Sequence, residues 1–249
     1  MTSVPYYQED LAWVHHLGYG QLAERAAPGI LALLRRAELG HGASVLEVGC
    51  GSGRLARALA NAGYAVLGVD ASPPMVELAR KHAPAARFEV KSLPTGKATG
   101  APGGLPSADA VVSTGHVLNY LDAPEAITRA LSELAAAVRP KGLLALDLMT
   151  ERFARAHQHC GGHARVEEDW AVVTRDSRPG PLRLHRQITV FRRTGDSWRR
   201  LDELHRNVTC EVSEAAALLE SCGLSVEERA SFGEEPAPEG LVVLVGVRR

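Results

Sequence analysis

The chain has 249 residues, of which 45% are hydrophobic and 23% charged, a composition typical of globular proteins that bury a substantial core. This length fits one large α/β domain with an appendage and leaves little room for two full-size domains. The 28 basic residues are balanced by 29 acidic residues. Because proteins that bind nucleic acids usually concentrate basic charge, we expect a small-molecule partner and no nucleic acid.

Neither a membrane segment nor a secretion signal is expected. The longest apolar runs, such as residues 142–149, are far shorter than the roughly 20 residues that cross a bilayer. The N-terminal segment MTSVPYYQED lacks the basic and then apolar pattern of a signal peptide. The cysteines, Cys50, Cys160, Cys210 and Cys222, are scattered without a Cys-x-x-Cys pair, which indicates free thiols and no metal site. We therefore expect a cytoplasmic protein.

Short apolar runs alternate with helical patterns through the middle of the chain. The runs lack polar alternation, so they predict strands buried on both faces, at residues 44–48, 65–69, 87–90, 108–113 and 143–148. Helical spacing between them is shown by Leu55 and Leu59, and by Ile127, Leu131 and Leu134. Pro140 and Gly142 are expected to end the last of these helices. The alternation predicts a doubly wound parallel sheet, with ligands at the carboxyl ends of its strands.

The flanking regions differ from this core. Residues 10–36 are predicted to be helical, with breaks near Gly18, Gly20 and Pro28. Later segments are β-rich and separated by turn signals, which predicts antiparallel hairpins at residues 170–174, 183–194 and 197–209. A helix at 213–221 and strands near 226–232 and 241–247 would complete the sheet, and 94–106 is a predicted loop. We divide the chain into an N-terminal helical cap (1–40), a core (41–150), a β-rich auxiliary region (151–212) and a C-terminal completion of the sheet (213–249).

The strongest motif is Glu47-Val-Gly49-Cys-Gly51-Ser-Gly53, between a predicted strand and a predicted helix. Glycines at alternate positions let the backbone approach a ligand closely. A dinucleotide site would have Gly-x-Gly-x-x-Gly, but Arg54 occupies the position of the third glycine. The spacing therefore argues against a nicotinamide dinucleotide.

The run resembles the Glu-x-Gly-x-Gly-x-Gly motif of class I S-adenosylmethionine-dependent methyltransferases, and Asp70 stands where that family has an acidic residue on the ribose. The resemblance covers residues 44–150. It implies a Rossmann-like, doubly wound, mostly parallel seven-stranded sheet with an antiparallel last strand, and a core that binds S-adenosylmethionine. It assigns cofactor binding to Glu47, Gly49, Cys50, Gly51, Gly53, Asp70, Ala71, Met75, Ser92, Leu93, Thr114 and Gly115, with Tyr19 from the cap.

Two positions depart from the family pattern. The third strand of the family often ends in an Asp that binds the adenine amino group, whereas this chain has Ser92 and Leu93 there. The family's Arg-Pro-Gly-Gly entry into the fifth strand has Lys141 in place of the first glycine. The first departure affects the adenine contact and not the fold.

Methyl transfer from a sulfonium is an in-line displacement, so alignment supplies much of the rate. His116 follows the fourth strand at the expected reaction edge and is the candidate general base. The auxiliary region resembles that of small-molecule N-methyltransferases, including those that act on amino sugars. The candidate substrate residues are His15, His16, Asn119, Tyr120, Trp170, Arg186 and His205. Glu203 and His205 share a strand face, but this pair alone does not predict a metal site.

The sequence therefore predicts a methyltransferase that acts on nitrogen or oxygen of a small metabolite. Two alternatives stay open at this point. One is an RNA or protein methyltransferase; the other is a nucleotide-dependent reductase or a catalytically silent cofactor-binding module. The acceptor and the oligomeric state are not specified, and a homodimer is one option.

Overall fold

The computed structural model describes residues 6–157 and 162–249. Cys160 and the first five residues of the N-terminal segment lie outside the described residues. Within them the helices are α1 Glu9–Gly18, α2 Gln21–Arg36, α3 Arg54–Asn61, α4 Pro73–His82, α5 Pro124–Ala137, α6 Glu151–His157 and α7 Val212–Ser221. The strands are β1 Ser44–Val48, β2 Ala65–Asp70, β3 Arg87–Val90, β4 Ala108–Ser113, β5 Val138–Met149, β6 His163–Val166, β7 Trp170–Gly180, β8 Arg183–Thr194, β9 Ser197–Val208, β10 Leu224–Arg229 and β11 Leu241–Arg248.

The core is a seven-stranded sheet of order β3-β2-β1-β4-β5-β11-β10. Strands β1 to β5 pair in parallel, whereas β11 runs antiparallel to both β5 and β10. The predicted fold class, with its antiparallel last strand, is confirmed. Because β1 and β4 are neighbours while their connections run in opposite directions, a crevice forms at their carboxyl ends.

Helices cover both faces of this sheet. On one face, Ile30 and Leu34 of α2 pack with Leu55 and Leu59 of α3. On the other face α5 and α7 contribute Ile127, Leu131, Leu134 and Leu219. Successive residues of β1 point into opposite layers, Val45 into the first and Leu46 into the second. The continuous apolar strands of the sequence follow from this burial on both faces.

The auxiliary region is a separate antiparallel sheet of order β6-β7-β8-β9. Helix α1 packs on one face of it, with Leu11 and Val14 among Trp170, Val172 and Ile188. Buried Asp10 also binds Arg192 at 3.1 Å and pairs with Arg199. The cap is thereby fixed to the auxiliary sheet and lies over the crevice of the core.

Several local predictions were wrong. Helix α2 continues through Pro28, because the residues after it, Ile30 and Leu34, are fully buried against the core and offset the missing hydrogen bond. Helix α5 ends at Ala137, before Pro140, and β5 begins at once with a register shift against β4. Strand β7 continues to Gly180 instead of ending at residue 174, since its pairing with β8 extends to the hairpin turn. Among the described residues, no helix has both the length and the apolar character needed to cross a membrane.

Candidate active site

The turn between β1 and α3 is built from glycines with positive φ: Gly49 at +69°, Gly51 at +50° and Gly53 at +79°. A Cβ at Gly49 would lie 2.2 Å from the Val117 side chain, and one at Gly53 would lie 3.0 Å from Ala79. A Cβ at Gly51 would meet nothing within 4 Å, because Gly51 faces an open cavity. Gly49 and Gly53 therefore satisfy packing, whereas Gly51 leaves room for a ligand against the backbone.

Asp70, at the end of β2, fixes the shape of this turn. Its carboxylate accepts a hydrogen bond from the Gly51 N–H at 2.9 Å and another from the Ser72 N–H at 2.9 Å. Burial raises the pKa of Asp70, and the backbone amides oppose that shift. A carboxylate can accept about four hydrogen bonds, so lone pairs remain for a ligand hydroxyl on the cavity side.

Glu47, on β1, brings a second carboxyl group to the cavity. Its side chain is 2% exposed, and its Oε2 has no hydrogen-bond partner among the described residues. Burial, followed by the charge of Asp70, raises the pKa of Glu47 to about 8. A buried polar atom without a partner is costly, so this oxygen suits a polar or cationic ligand group.

The cavity has a volume of about 1200 Å³. Its walls are the carboxyl edge of the core sheet, the cap and the inner face of the auxiliary sheet. Pockets for one small ligand usually measure about 300–1,000 Å³, so this cavity can hold a cofactor together with an acceptor. The cofactor residues predicted from sequence that line it are Glu47, Gly49, Cys50, Gly51, Asp70, Ala71, Met75, Ser92, Leu93, Thr114, Gly115 and Tyr19. Gly53 does not line it.

His116 lies in the loop after β4 in a left-handed conformation, with φ +47°. Buried Asp147 holds that loop, because its carboxylate accepts the Gly115 N–H at 2.9 Å and the His116 N–H at 2.6 Å. The imidazole lies between Tyr120, with ring centroids 5.8 Å apart, and Phe153, 5.6 Å away. Asp147 is thus a structural residue that places the His116 ring in the cavity.

The environment of His116 opposes a positive charge. Burial, followed by the charge of Arg186, lowers the pKa of His116 to about 3, so the imidazole is neutral at physiological pH. Neither ring nitrogen has a hydrogen-bond partner among the described residues. His116 can therefore exchange hydrogen bonds with a ligand in the cavity, but it is a weak proton acceptor.

The cap closes the cavity with aromatic side chains. The hydroxyl groups of Tyr7 and Tyr120 are 2.9 Å apart, and Glu203 accepts the backbone N–H groups of Tyr7 and Gln8, each at 2.8 Å. His15 also faces the cavity, and burial followed by the charge of Arg54 lowers its pKa to about 4. These contacts join the cap to the core and the auxiliary sheet at the cavity.

The predicted substrate residues divide into two groups. His15, Tyr120 and Arg186 line the cavity, whereas His16, Asn119, Trp170 and His205 do not. The His16 ring packs 4.9 Å from that of His82 on α4. Trp170 is 5% exposed and packs on Gly18, where an added Cβ would lie 2.7 Å from the indole. His205 is fully buried, with Nε2 2.8 Å from Glu203 Oε2.

Asn119 joins the two sheets instead of facing a ligand. It is fully buried; its amide donates to Met149 O at 3.1 Å and Val208 O at 2.6 Å. Its Oδ1 accepts the Met149 N–H at 2.8 Å. Since Met149 ends β5 and Val208 ends β9, Asn119 fixes the junction where the chain passes between the core and auxiliary sheets.

Sequence reasoning missed several residues of the cavity wall, namely Tyr6, Tyr7, Arg54, His157 and Arg183. The adjacent pair Tyr6 and Tyr7 was a usable signal, since two aromatic residues directly before a helix favour packing over a neighbouring surface. Arg54 follows the glycine turn, and its guanidinium pairs with Glu24 and donates to the His16 carbonyl oxygen. Arg54 thus connects the glycine turn to α1 and α2.

Comparison with known proteins is consistent with this geometry. A model of the methyltransferase domain family matches residues 45–142, which include the glycine turn and Asp70. A candidate methyltransferase from Geobacillus sp. (strain WCH70) is 29% identical over 198 residues, covering 78% of this chain and 79% of its own. Residues 45–142 thus resemble the methyltransferase domain family, and the chain has the fold of S-adenosylmethionine-dependent methyltransferases. Arg54 at the third-glycine position agrees with this resemblance and not with a nucleotide-dependent reductase.

Solved structures superpose on nearly the whole of this chain, so the similarity extends over the auxiliary region as well as the core. The S-adenosylmethionine-bound amino pentose methyltransferase from Micromonospora echinaspora superposes with a TM-score of 0.73 at 22% identity, over 100% of both chains. The sugar N-methyltransferase from Streptoalloteichus sp. ATCC 53650 gives 0.75 at 20% identity, over 100% of this chain and 97% of its own. At 20% and 22% sequence identity, this structural similarity establishes the fold of the chain and not its substrate.

Proposed function

We propose that this enzyme methylates an amine nitrogen of a small polar molecule of sugar size. The observation that supports the proposal is a continuous cavity that begins at the glycine turn, passes His116 and continues along the inner face of the auxiliary sheet. The two sugar-methylating structures cover the auxiliary sheet as well as the core, which favours an acceptor of the same class. The enclosing cap argues against a folded RNA or protein as acceptor.

The residues around the glycine turn fit S-adenosylmethionine. Gly51 leaves open space above its Cα, Asp70 has lone pairs for the ribose hydroxyls, and Glu47 has an unpartnered oxygen for the ammonium group. We assign Met75, which is 2% exposed and lines the cavity, to the adenine, because a thioether makes a favourable contact with an aromatic ring. When bound, the cofactor supplies an electrophilic methyl group and a sulfur leaving group.

The chain's own contribution on the acceptor side is orientation and the exclusion of water. Neutral His116 and the Tyr120 hydroxyl offer hydrogen bonds to the acceptor, and His15 with Tyr7 covers the cavity. The Arg186 guanidinium donates hydrogen bonds of 3.0 and 3.2 Å to the Asp176 carboxylate, which places a positive charge in the cavity wall. Most of the rate enhancement is expected from this alignment, since a methyl sulfonium is intrinsically reactive.

The test is methylation of matched acceptor pairs. The enzyme is incubated with S-adenosylmethionine and amino sugars, each paired with the same sugar carrying a hydroxyl group in place of the amine. We expect N-methylated product and stoichiometric S-adenosylhomocysteine from the amino sugars only. Tyr120→Phe should raise KM for the acceptor several-fold. The control is Tyr64→Phe, which should leave this KM unchanged: the Tyr64 hydroxyl donates to Leu39 O over 3.1 Å, and Tyr64 does not line the cavity. Methylation of the hydroxyl sugars alone, or of tRNA, would contradict the proposal.

A further inference from the structure

An aliphatic amine is largely protonated at neutral pH, and only its neutral form has the lone pair that attacks the methyl carbon, so a group in the cavity must first accept a proton from it. His116 and His15 are poorly suited because each is buried beside an arginine, Arg186 and Arg54 respectively, whose charge opposes a second cation. The tyrosine hydroxyl groups of the wall are hydrogen-bond partners and not bases at neutral pH. A better-placed lone pair lies on another element.

His157, at the end of α6, lines the same cavity and is half-buried. Its Nδ1 lies 2.8 Å from the Phe153 carbonyl oxygen. A carbonyl oxygen only accepts, so Nδ1 carries the hydrogen and Nε2 keeps its lone pair. The hydrogen bond therefore selects the tautomer that leaves Nε2 free to accept a proton.

The orientation of the His157 ring is fixed by stacking. The ring lies on Phe153, with centroids 4.0 Å apart and planes inclined by 20°. The Phe153 ring also lies 5.6 Å from the His116 ring, centroid to centroid, so this one aromatic ring lies between the two imidazoles. Because His157 is half-buried whereas His116 is 9% exposed, a proton on His157 can pass on to water.

The carboxylates on α6 and on the strands packed against it are already engaged by other groups. Ionisable side chains on the elements that pack against α6, or line the cavity with His157, include Glu151, Asp147, Asp176, Arg178, His116 and Arg186. Glu151 pairs with Arg155 and Arg178, and Asp176 pairs with Arg186. Asp147 accepts two backbone amides.

We propose that His157 Nε2 is the proton acceptor of the methylation reaction, while His116 orients the acceptor as a neutral hydrogen-bond partner. His157 Nε2 first accepts a proton from the acceptor ammonium and passes it on to water. The freed nitrogen lone pair then forms the bond to the methyl carbon as the carbon–sulfur bond breaks with its electrons going to sulfur, and the product leaves as the methylated ammonium. This assignment rests on the proposed amine methylation.

The test compares His157→Asn with His41→Asn. Asparagine at 157 keeps an N–H donor for the Phe153 carbonyl and removes the basic nitrogen, and His41 is an exposed histidine that does not line the cavity. We expect His157→Asn to lower kcat about a hundredfold at neutral pH, with KM for S-adenosylmethionine unchanged, and to remove the acid limb of the kcat–pH profile. His41→Asn should keep both. Retention of kcat and of the acid limb in His157→Asn would overturn the assignment.

A second measurement requires no turnover. Nitrogen-15 NMR of the histidine rings, assigned by comparing wild type with His157→Asn, should show Nδ1 protonated and Nε2 unprotonated in the neutral ring of His157. The opposite tautomer would overturn the proposal even if the enzyme methylates amines. If wild type methylates no amine, the proposed function fails and this assignment fails with it, whereas an active wild type with an unaffected His157→Asn variant rejects the assignment alone.

Discussion

Replacement of Gly51 by alanine separates ligand binding from folding at the glycine turn. The new Cβ would meet no atom within 4 Å, so the stability cost is limited to the left-handed backbone, φ +50°, which is about 1–2 kcal/mol for a non-glycine residue. The methyl group would project into the space assigned to the cofactor. Overfilling a fitted site costs about 1–3 kcal/mol, which corresponds to roughly a 5- to 150-fold loss of affinity.

A matched control is available in the loop between β3 and β4. Gly96 has φ +65° and open space around its Cα, but it does not line the cavity. Urea denaturation should give similar losses of unfolding free energy for Gly51→Ala and Gly96→Ala, and calorimetry with S-adenosylhomocysteine should show weakened binding only for Gly51→Ala. Unchanged affinity in Gly51→Ala would refute the placement of the cofactor against this turn.

Three further substitutions test other parts of the site. Asp70→Asn should weaken S-adenosylhomocysteine binding about 10- to 100-fold in calorimetry, because a hydrogen bond to a charged acceptor contributes about 1.5–3 kcal/mol. Wild-type affinity in this variant would mean that Asp70 does not bind the ribose. Asn119→Ala should lower the unfolding free energy by about 2–4 kcal/mol in urea, with unchanged acceptor KM in the folded enzyme; a raised KM with full stability would restore the predicted substrate role. His116→Asn should flatten the pH dependence of stability. The His116 pKa is about 3 in the folded protein, whereas the ordinary histidine value is 6.5, so the unfolded chain binds the proton more readily. In wild type the free energy of unfolding is therefore retained above pH 6.5 and falls by about 2 kcal/mol as the pH drops from 6.5 to 5. An identical slope in wild type and variant would contradict this burial.

The parts of the fold that sequence reasoning predicted are those specified by local patterns. The apolar strands, the glycine turn and Asp70 each depend on residues close together in the chain. The strand–helix alternation predicted the parallel sheet, and the resemblance carried by Gly49, Gly51 and Gly53 added its antiparallel last strand. Pro28 was misread as a break because the burial of the helix around it depends on a sheet formed later in the chain.

The acceptor side was harder to predict because it is assembled from distant segments. Asn119 was predicted to face substrate, but its partners lie 30 and 89 residues away at the ends of β5 and β9. Tyr7 and His157 enter the cavity only after α1 and α6 dock. The adjacent tyrosines at 6 and 7 gave a local signal, whereas nothing in the residues around His157 indicates its position. Polar side chains in such places can be assigned only once the tertiary junctions are known.

The most direct test of the central claim is a crystal structure of the complex with S-adenosylhomocysteine. The ribose hydroxyls should bind Asp70, the amino acid part should lie against Gly49 and Gly51, and the sulfur should face the part of the cavity that contains His116 and Tyr120. A ligand bound elsewhere on the molecule, or a cavity that still excludes the ligand at saturating concentration, would contradict the claim.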